Sequence, residues 1–250
     1  LIQLTEDGGE NWTKIEVGDL PGVPETAFVN DIKADLYDAN TVYVALDNHK
    51  YGDFKPYLLK STDRGKSWES IAGDLPENHM IWRLVQDHVK ADLMFAATEY
   101  GIFFTIDGGE KWIKLKGGIP TISFRDLAIQ KEWNDLVGAS FGRGFFVFDD
   151  YAPLREVTEE KLKEEASLYP VRDALLYSPK SGGGASGSDI FRADNPPYGA
   201  VITYHLAEGY KTKEAKRKKE EAKLKKEDEA LSFPAWEVLK EERLEEKFPF

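Results

Sequence analysis

The residues in this 250-residue sequence that could do chemistry are carboxylates, arginines and four histidines. Hydrolysis of a glycosidic bond would need two carboxylates about 5 Å or about 6.5–9.5 Å apart. The conspicuous acids are Asp7, Asp63 and Asp107, which recur in one pattern; Asp31, Glu99 and Asp126 are further candidates. The histidines, His49, His79, His88 and His205, show neither i,i+4 nor His-x-His spacing, so no metal site is expected. There is no Gly-x-Ser-x-Gly and no phosphate-binding glycine loop, and no cofactor is expected. With no cysteine, a disulfide scaffold, a thiolate metal site and a Cys nucleophile are all excluded.

The acids belong to a repeat. Thr5-x-Asp7-x-Gly9-x-x-Trp12, Ser61-x-Asp63-x-Gly65-x-x-Trp68 and Thr105-x-Asp107-x-Gly109-x-x-Trp112 place the Asp residues 56 and then 44 positions apart. A degenerate copy follows at Asp149-Asp150, without the Gly and Trp. Leu20-Pro21, Leu75-Pro76 and Ile119-Pro120 keep the same phase. Apolar alternating runs then recur at 29–32, 81–85 and 124–129; at 41–46, 93–98 and 136–140; and at 57–60, 101–104 and 144–147. Alternation rich in Val, Ile, Phe and Tyr reads as β-strands. Four short strands per ~43 residues is the period of a propeller blade.

The motif has a local logic. Its Asp can accept hydrogen bonds from N–H groups just after it. The Gly supplies a positive φ. The Ser or Thr bonds across the turn, and the Trp starts the next strand and packs on the hairpin.

This S/T-x-D-x-G-x-x-W pattern resembles the Asp-box, or BNR, repeat of sialidase-like and sortilin-like propellers. The run from Gly142 through Phe145-Phe146-Val147-Phe148-Asp149-Asp150-Tyr151-Ala152-Pro153-Leu154 to Arg155 resembles the end of the propeller in large bacterial proteins of the sortilin (VPS10)-like, "glycosyl hydrolase BNR repeat" type. The resemblance covers 1–155. It implies an all-β fold: a partial propeller of about three and a half blades, with its remaining blades expected upstream. It also implies an extracytoplasmic or secreted location. Asn195–Ala200 resembles the first strand of a following sandwich domain.

On that resemblance the Asp residues of the motif sit at hairpin tips on the outer rim, so Thr5, Asp7, Gly9, Trp12 and their counterparts are structural. Sialidases of this class clamp a carboxylate with three arginines. Arg83, Arg125 and Arg143 do not share one register, so salt bridges are expected of them instead. Asp31, Asp126 and Glu99 are expected to be turn caps or solvated. Trp82 and Trp133 are expected in core or inter-blade packing, with a channel-lining place the alternative for Trp82. Between Ala45 and Tyr57 one repeat carries about eight extra residues. Propeller loops on one face commonly bind ligands. His49, Tyr51, Asp53 and Phe54 in that insertion are the candidate ligand contacts.

After residue 155 the composition changes. Residues 156–190 read as a linker, helix-permissive at 156–166, extended at 169–177 and a Gly/Ser-rich loop at 178–188. Residues 191–250 read as a partial sandwich-like domain, with a strand at 200–206, a Lys/Glu-rich helix at 211–230 and a second helix at 234–246. The long helix has no apolar face, which argues against a membrane surface. The net charge of −12, from 45 acidic and 33 basic residues, argues against a nucleic-acid partner. The reading is thus a non-catalytic binding or scaffold propeller taking protein or peptide ligands. A glycoside hydrolase or carbohydrate-binding propeller is the alternative.

Overall fold

The computed structural model describes residues 1–174, 176, 178, 198–227 and 235–245. The chain divides into two compact units, 1–157 and 158–250. The first is a succession of antiparallel sheets with the order of propeller blades. It opens with a hairpin of β1 (Ile2–Leu4) and β2 (Thr13–Ile15). β3 (Phe28–Ala34), β4 (Val42–Asn48), β5 (Asp53–Ser61) and β6 (Glu69–Ser70) form the next sheet, each strand pairing with its successor. β7 (Ile81–Gln86), β8 (Met94–Thr98), β9 (Gly101–Thr105) and β10 (Ile113–Lys114) repeat that order. β11 (Phe124–Gln130), β12 (Asp135–Ser140) and β13 (Phe145–Phe148) form a three-stranded last blade.

The middle strands are apolar on both faces because each blade is packed between two others. On β4, Val44 and Leu46 join Ile2, Val17 and Leu20 in the core on one side. Tyr43 and Ala45 join Ile81, Leu84 and Phe103 on the other. On β8, Phe95 and Ala97 turn instead to Phe124, Leu127, Leu136 and Tyr151. Burying such side chains contributes about 1.5–3 kcal/mol each, so adjacent blades hold each other flat.

The repeated turns have one geometry. Asp7 accepts from Thr5 Oγ1 at 2.9 Å and from Asn11 N at 2.9 Å, while Gly9 N donates to Thr5 Oγ1 at 2.8 Å. Asp63 with Ser61, Gly65 and Ser67, and Asp107 with Thr105, Gly109 and Lys111, repeat it. Trp12 and Trp68 donate their indole N–H to the carbonyls of Gly9 and Gly65. Trp112 differs: its indole N–H reaches back to Ile71 O in the preceding blade at 2.9 Å, and its backbone N–H reaches Asp74. Here two backbones touch. A Cβ on Gly73 would lie 2.4 Å from Glu110 O, and one on Gly109 would lie 2.8 Å from Ile71 O.

The N–H donors hold the turn carboxylates down. Asp7, chiefly through the Asn11 backbone, and Asp63, chiefly through the Ser67 hydroxyl, titrate at about 2. The folded value lies below the ordinary 3.8. Each therefore adds stability that is present above the unfolded pKa and lost as pH falls through the folded one. Asp63→Ala is expected to lower the melting temperature at neutral pH, and the gap to wild type to close toward pH 2. An equal gap at both pH values in thermal melts would refute the assignment.

A buried ionic centre closes the unit. Asp87, wholly buried, accepts from Tyr151 Oη at 2.6 Å, from Arg155 Nε at 2.9 Å and Nη2 at 2.7 Å, and from Val89 N and Lys90 N. It ties the segment after β13 to the end of β7. At the degenerate repeat, Asp150 has φ 46° and its N–H donates to Asp135.

In the second unit, β14 (Ala166–Leu168) pairs with β15 (Tyr204–Leu206). α1 (Lys213–Lys226) is capped by Thr212, whose hydroxyl accepts from Ala215 N, and α2 is Trp236–Glu245. The helix-permissive stretch 156–166 contains only the end of a 3-10 turn at Ala152–Glu156 and a second one at Lys161–Lys163 before β14 begins. The strand expected at 200–206 is confined to its last three residues. Most of the Gly/Ser-rich loop at 178–188 and residues 228–230 of the expected long helix lie outside the described residues. Among the described residues no helix is long and apolar enough to cross a membrane.

Candidate functional site

The site grows from three irregularities at one register. The register of β3 shifts between Val29 and Asp31, that of β7 between Ile81 and Arg83, and that of β11 between Phe124 and Asp126. The residues skipped are Asn30, Trp82 and Arg125. A bulge re-aims the side chain it carries, and these three occupy equivalent places in three successive blades. Asn30 Nδ2 donates to Ile81 O in the next blade at 2.9 Å.

One position on, an ionic ladder runs across the same strands. Arg83 Nη1 donates to Asp31 at 2.8 Å and Arg83 Nε to Asp126 at 2.8 Å; Leu84 N also donates to Asp31, at 3.0 Å. Asp31 is therefore buried and ion-paired, not a turn cap or solvated. Asp126 is exposed but paired with Arg83. Arg83 bridges two blades, Arg125 stands at a bulge, and Arg143 is exposed in the β12–β13 turn.

Glu99, expected to be a turn cap or solvated, is a centre of hydrogen bonding. It accepts from Trp82 Nε1 at 2.9 Å and Ser123 Oγ at 3.0 Å, and faces Arg125 Nη2 at 3.6 Å. The Arg125 guanidinium lies 3.7 Å from the Trp82 ring centroid and 5.1 Å from that of Phe141. Its Nε is buried and has no hydrogen-bond partner. The guanidinium is thus set over the Trp82 ring and paired with a carboxylate, and its side chain is 39% exposed. Five N–H groups in a rigid fork suit a planar acceptor.

The insertion flanks this cluster. Its extra residues are not a free loop: β4 runs on to Asn48, β5 begins at Asp53, and these two pair. A 3-10 turn at His49–Tyr51 and Gly52 at φ 78° close the lengthened hairpin. His49 packs edge-on to Trp82, 5.9 Å between centroids, and its Nδ1 bonds buried Asp47. Asp53 instead fixes the hairpin, accepting from Tyr57 Oη at 2.5 Å and from Lys55 N. Of the four insertion residues, His49 alone is placed against Trp82. Tyr51 and Phe54 are exposed on the same lengthened hairpin. Phe28, Tyr100 and Phe141 add exposed rings at the corresponding strand ends of three blades, and Lys50 Nζ stands 4.2 Å over Phe28.

Trp133 lies in the turn between β11 and β12, its N–H donating to Gln130, away from the bulges. Among the described residues no His, Asp and Glu side chains converge in threes to hold a metal ion. Sequence reasoning singled out His49 but missed Arg125 as a partner of Trp82, and Phe141 as a neighbour of Arg125. The available signal was the aligned register of Asn30, Trp82 and Arg125, each one residue before a charged side chain.

No protein-family model matches the chain, and no curated protein matches it. Among solved structures it is similar to an ancestral GH74 enzyme, at 25% identity and a TM-score of 0.38 over 46% of this chain and 14% of that one. It is similar to YCF48 bound to D1 peptide, at 18% identity and 0.42 over 60% and 43%. It is also similar to the GH74 xyloglucanase from Xanthomonas campestris, at 16% and 0.38 over 49% and 22%. The chain spans less than half the length of each. The fold is all-β with propeller-like blades.

Proposed function

We propose that this propeller is a non-catalytic binding module that takes a protein or peptide segment across the rim formed by Phe28, His49, Trp82, Arg125 and Phe141. The observation that carries the reading is the Arg125 guanidinium, set 3.7 Å from the Trp82 ring centroid with Phe141 5.1 Å away and its side chain 39% exposed. A donor oriented in advance loses little side-chain entropy when an acceptor arrives. The exposed rings around it supply contact area. An extracytoplasmic location belongs to the same proposal and rests on the resemblance of 1–155.

The second reading, a glycoside hydrolase or carbohydrate-binding propeller, draws support from the exposed Tyr51, Phe54 and Phe141 rings and from Glu99. It is less well supported. One face of Trp82 is covered by the guanidinium, so that face is not a platform for a sugar. Asp31 and Asp126 both turn to Arg83 rather than flanking an open space.

The test is selection of ligands from a displayed peptide library beside a polysaccharide panel with product detection by mass spectrometry. Arg125→Ala should weaken the selected peptides roughly 10–100-fold, the cost of about 1.5–3 kcal/mol for a charged hydrogen bond, with the melting temperature unchanged. Undiminished peptide binding in that variant, or sugar release by the wild type, would overturn the reading.

A further inference from the structure

The second unit carries a charge pattern that the rim does not use. α1 holds Lys213, Lys216, Arg217, Lys218, Lys219, Lys223, Lys225 and Lys226 against Glu214, Glu220 and Glu221, in a protein whose net charge is −12. The signs are not mixed evenly around it. Glu214, Arg217, Glu221 and Leu224 are half-buried, at the 3,4,3 spacing of one helix face. The acids there are consumed: Arg217 pairs with Glu221 at 2.5 Å and Lys218 with Glu214 at 2.6 Å. The opposite face presents Lys216, Lys219, Lys223 and Lys226, all exposed, bordered by Ala215 and Ala222 on one side and by the exposed Glu220 and Glu227 on the other. Lys223 has one loose pair, 3.9 Å to Glu227; the other three have no ion-pair partner among the described residues. A helix rises 1.5 Å per residue, so the row is about 15 Å long.

Four like charges in line repel one another and weaken a helix. They are relieved by a partner that brings a line of opposite charge. We propose that this lysine row binds a linear acidic polysaccharide, one carrying carboxylate or sulfate groups along its chain. The row offers point charges on flexible stems and no planar fork, which suits repeated, hydrated anions without fixed geometry. It has no aromatic or arginine side chain on which bases could stack, unlike a single-strand nucleic-acid groove. It has no apolar ridge to sink into a lipid surface.

The test uses the protein with fluorescein-labelled polygalacturonate at low salt. Single-stranded DNA, phosphatidylserine vesicles and the protein's own self-association by sedimentation are measured beside it. Binding should weaken as salt rises. Lys216→Gln, Lys219→Gln, Lys223→Gln and Lys226→Gln together should lose several-hundred-fold in affinity, at roughly five-fold per lysine. The salt slope should become shallower by up to about one per lysine removed. Lys225→Gln, off the row, should change affinity less than two-fold. Ala222→Glu sets an acid on the row's alanine edge without touching a lysine and should weaken binding roughly ten-fold. It decides the matter should circular dichroism show the quadruple variant to have lost its helix. Wild-type affinity in both row variants, tighter binding of DNA or vesicles at matched charge, or self-association through the row would overturn the proposal.

Discussion

Arg155→Ala lowers the melting temperature by roughly 6–20 °C. The substitution leaves a fully buried Asp87 with two of its charged hydrogen bonds gone, and breaking a buried pair on one side costs about 3–5 kcal/mol. In a unit of this size 1 kcal/mol is worth about 2–4 °C. Tyr151 and two backbone N–H groups remain on the carboxylate, which holds the loss at the lower end of the range if water enters. The effect depends on pH in a set direction. Burial pushes the Asp87 carboxyl up, but Arg155, Tyr151 and the backbone outweigh it and hold the folded pKa below 3.8. The pair's contribution is therefore present above that unfolded value and lost as pH falls through the folded one. Wild type and Arg155→Ala should converge in strong acid. Arg155→Lys keeps the charge but not the two-pronged contact and should fall between them. A shift under about 2 °C for Arg155→Ala at neutral pH would show that the segment after β13 is not pinned by this pair.

How much of this was legible follows from the kind of signal each feature leaves. The strands announced themselves because packing between blades demands apolar runs at 93–98 and 101–104 whatever their ligand. The Thr5, Ser61 and Thr105 turns were legible because one local geometry forces the same residue types at the same spacing. Asp87 was not. Its partners lie 64 and 68 residues away, at Tyr151 and Arg155, and nothing local marks an aspartate that a distant arginine will meet. The repeat did contain a hint. Asp35 stands after β3 as Asp87 stands after β7, and it too gathers N–H and O–H donors. The contact of Arg125 with Trp82 was hidden for another reason. Bulges at Asn30, Trp82 and Arg125 shift the side chains relative to simple alternation, so a reading by period alone sends Trp82 into the core. Glu99 looked like an ordinary turn residue because its donors come from β7 and from Ser123 in the next blade.

Asp31→Ala is the variant in which stability and binding should fall together. Asp31 is 5% exposed, and its loss strips Arg83 Nη1 and the buried N–H of Leu84 of their acceptor. An orphaned buried donor costs about 1–3 kcal/mol. The Arg83 side chain is 29% exposed and can turn to water, which keeps the total below that of the Asp87 centre. Asp126→Ala removes the other end of the same ladder, but its side chain is 58% exposed, and a pair of that kind is worth about 0–1 kcal/mol. The two aspartates therefore separate position from charge, since each takes one negative charge from Arg83. If the ladder serves to hold adjacent blades in register beneath the bulges, Asp31→Ala should lower both the melting temperature and the affinity of any ligand seated on Arg125. Asp126→Ala should change neither by much. Adding Arg83→Met to Asp31→Ala should recover part of the stability, because the unpaired cation is gone. Equal effects of the two aspartates would mean that the ladder acts only as a local charge. The bulges would then hold Trp82 and Arg125 by backbone geometry alone.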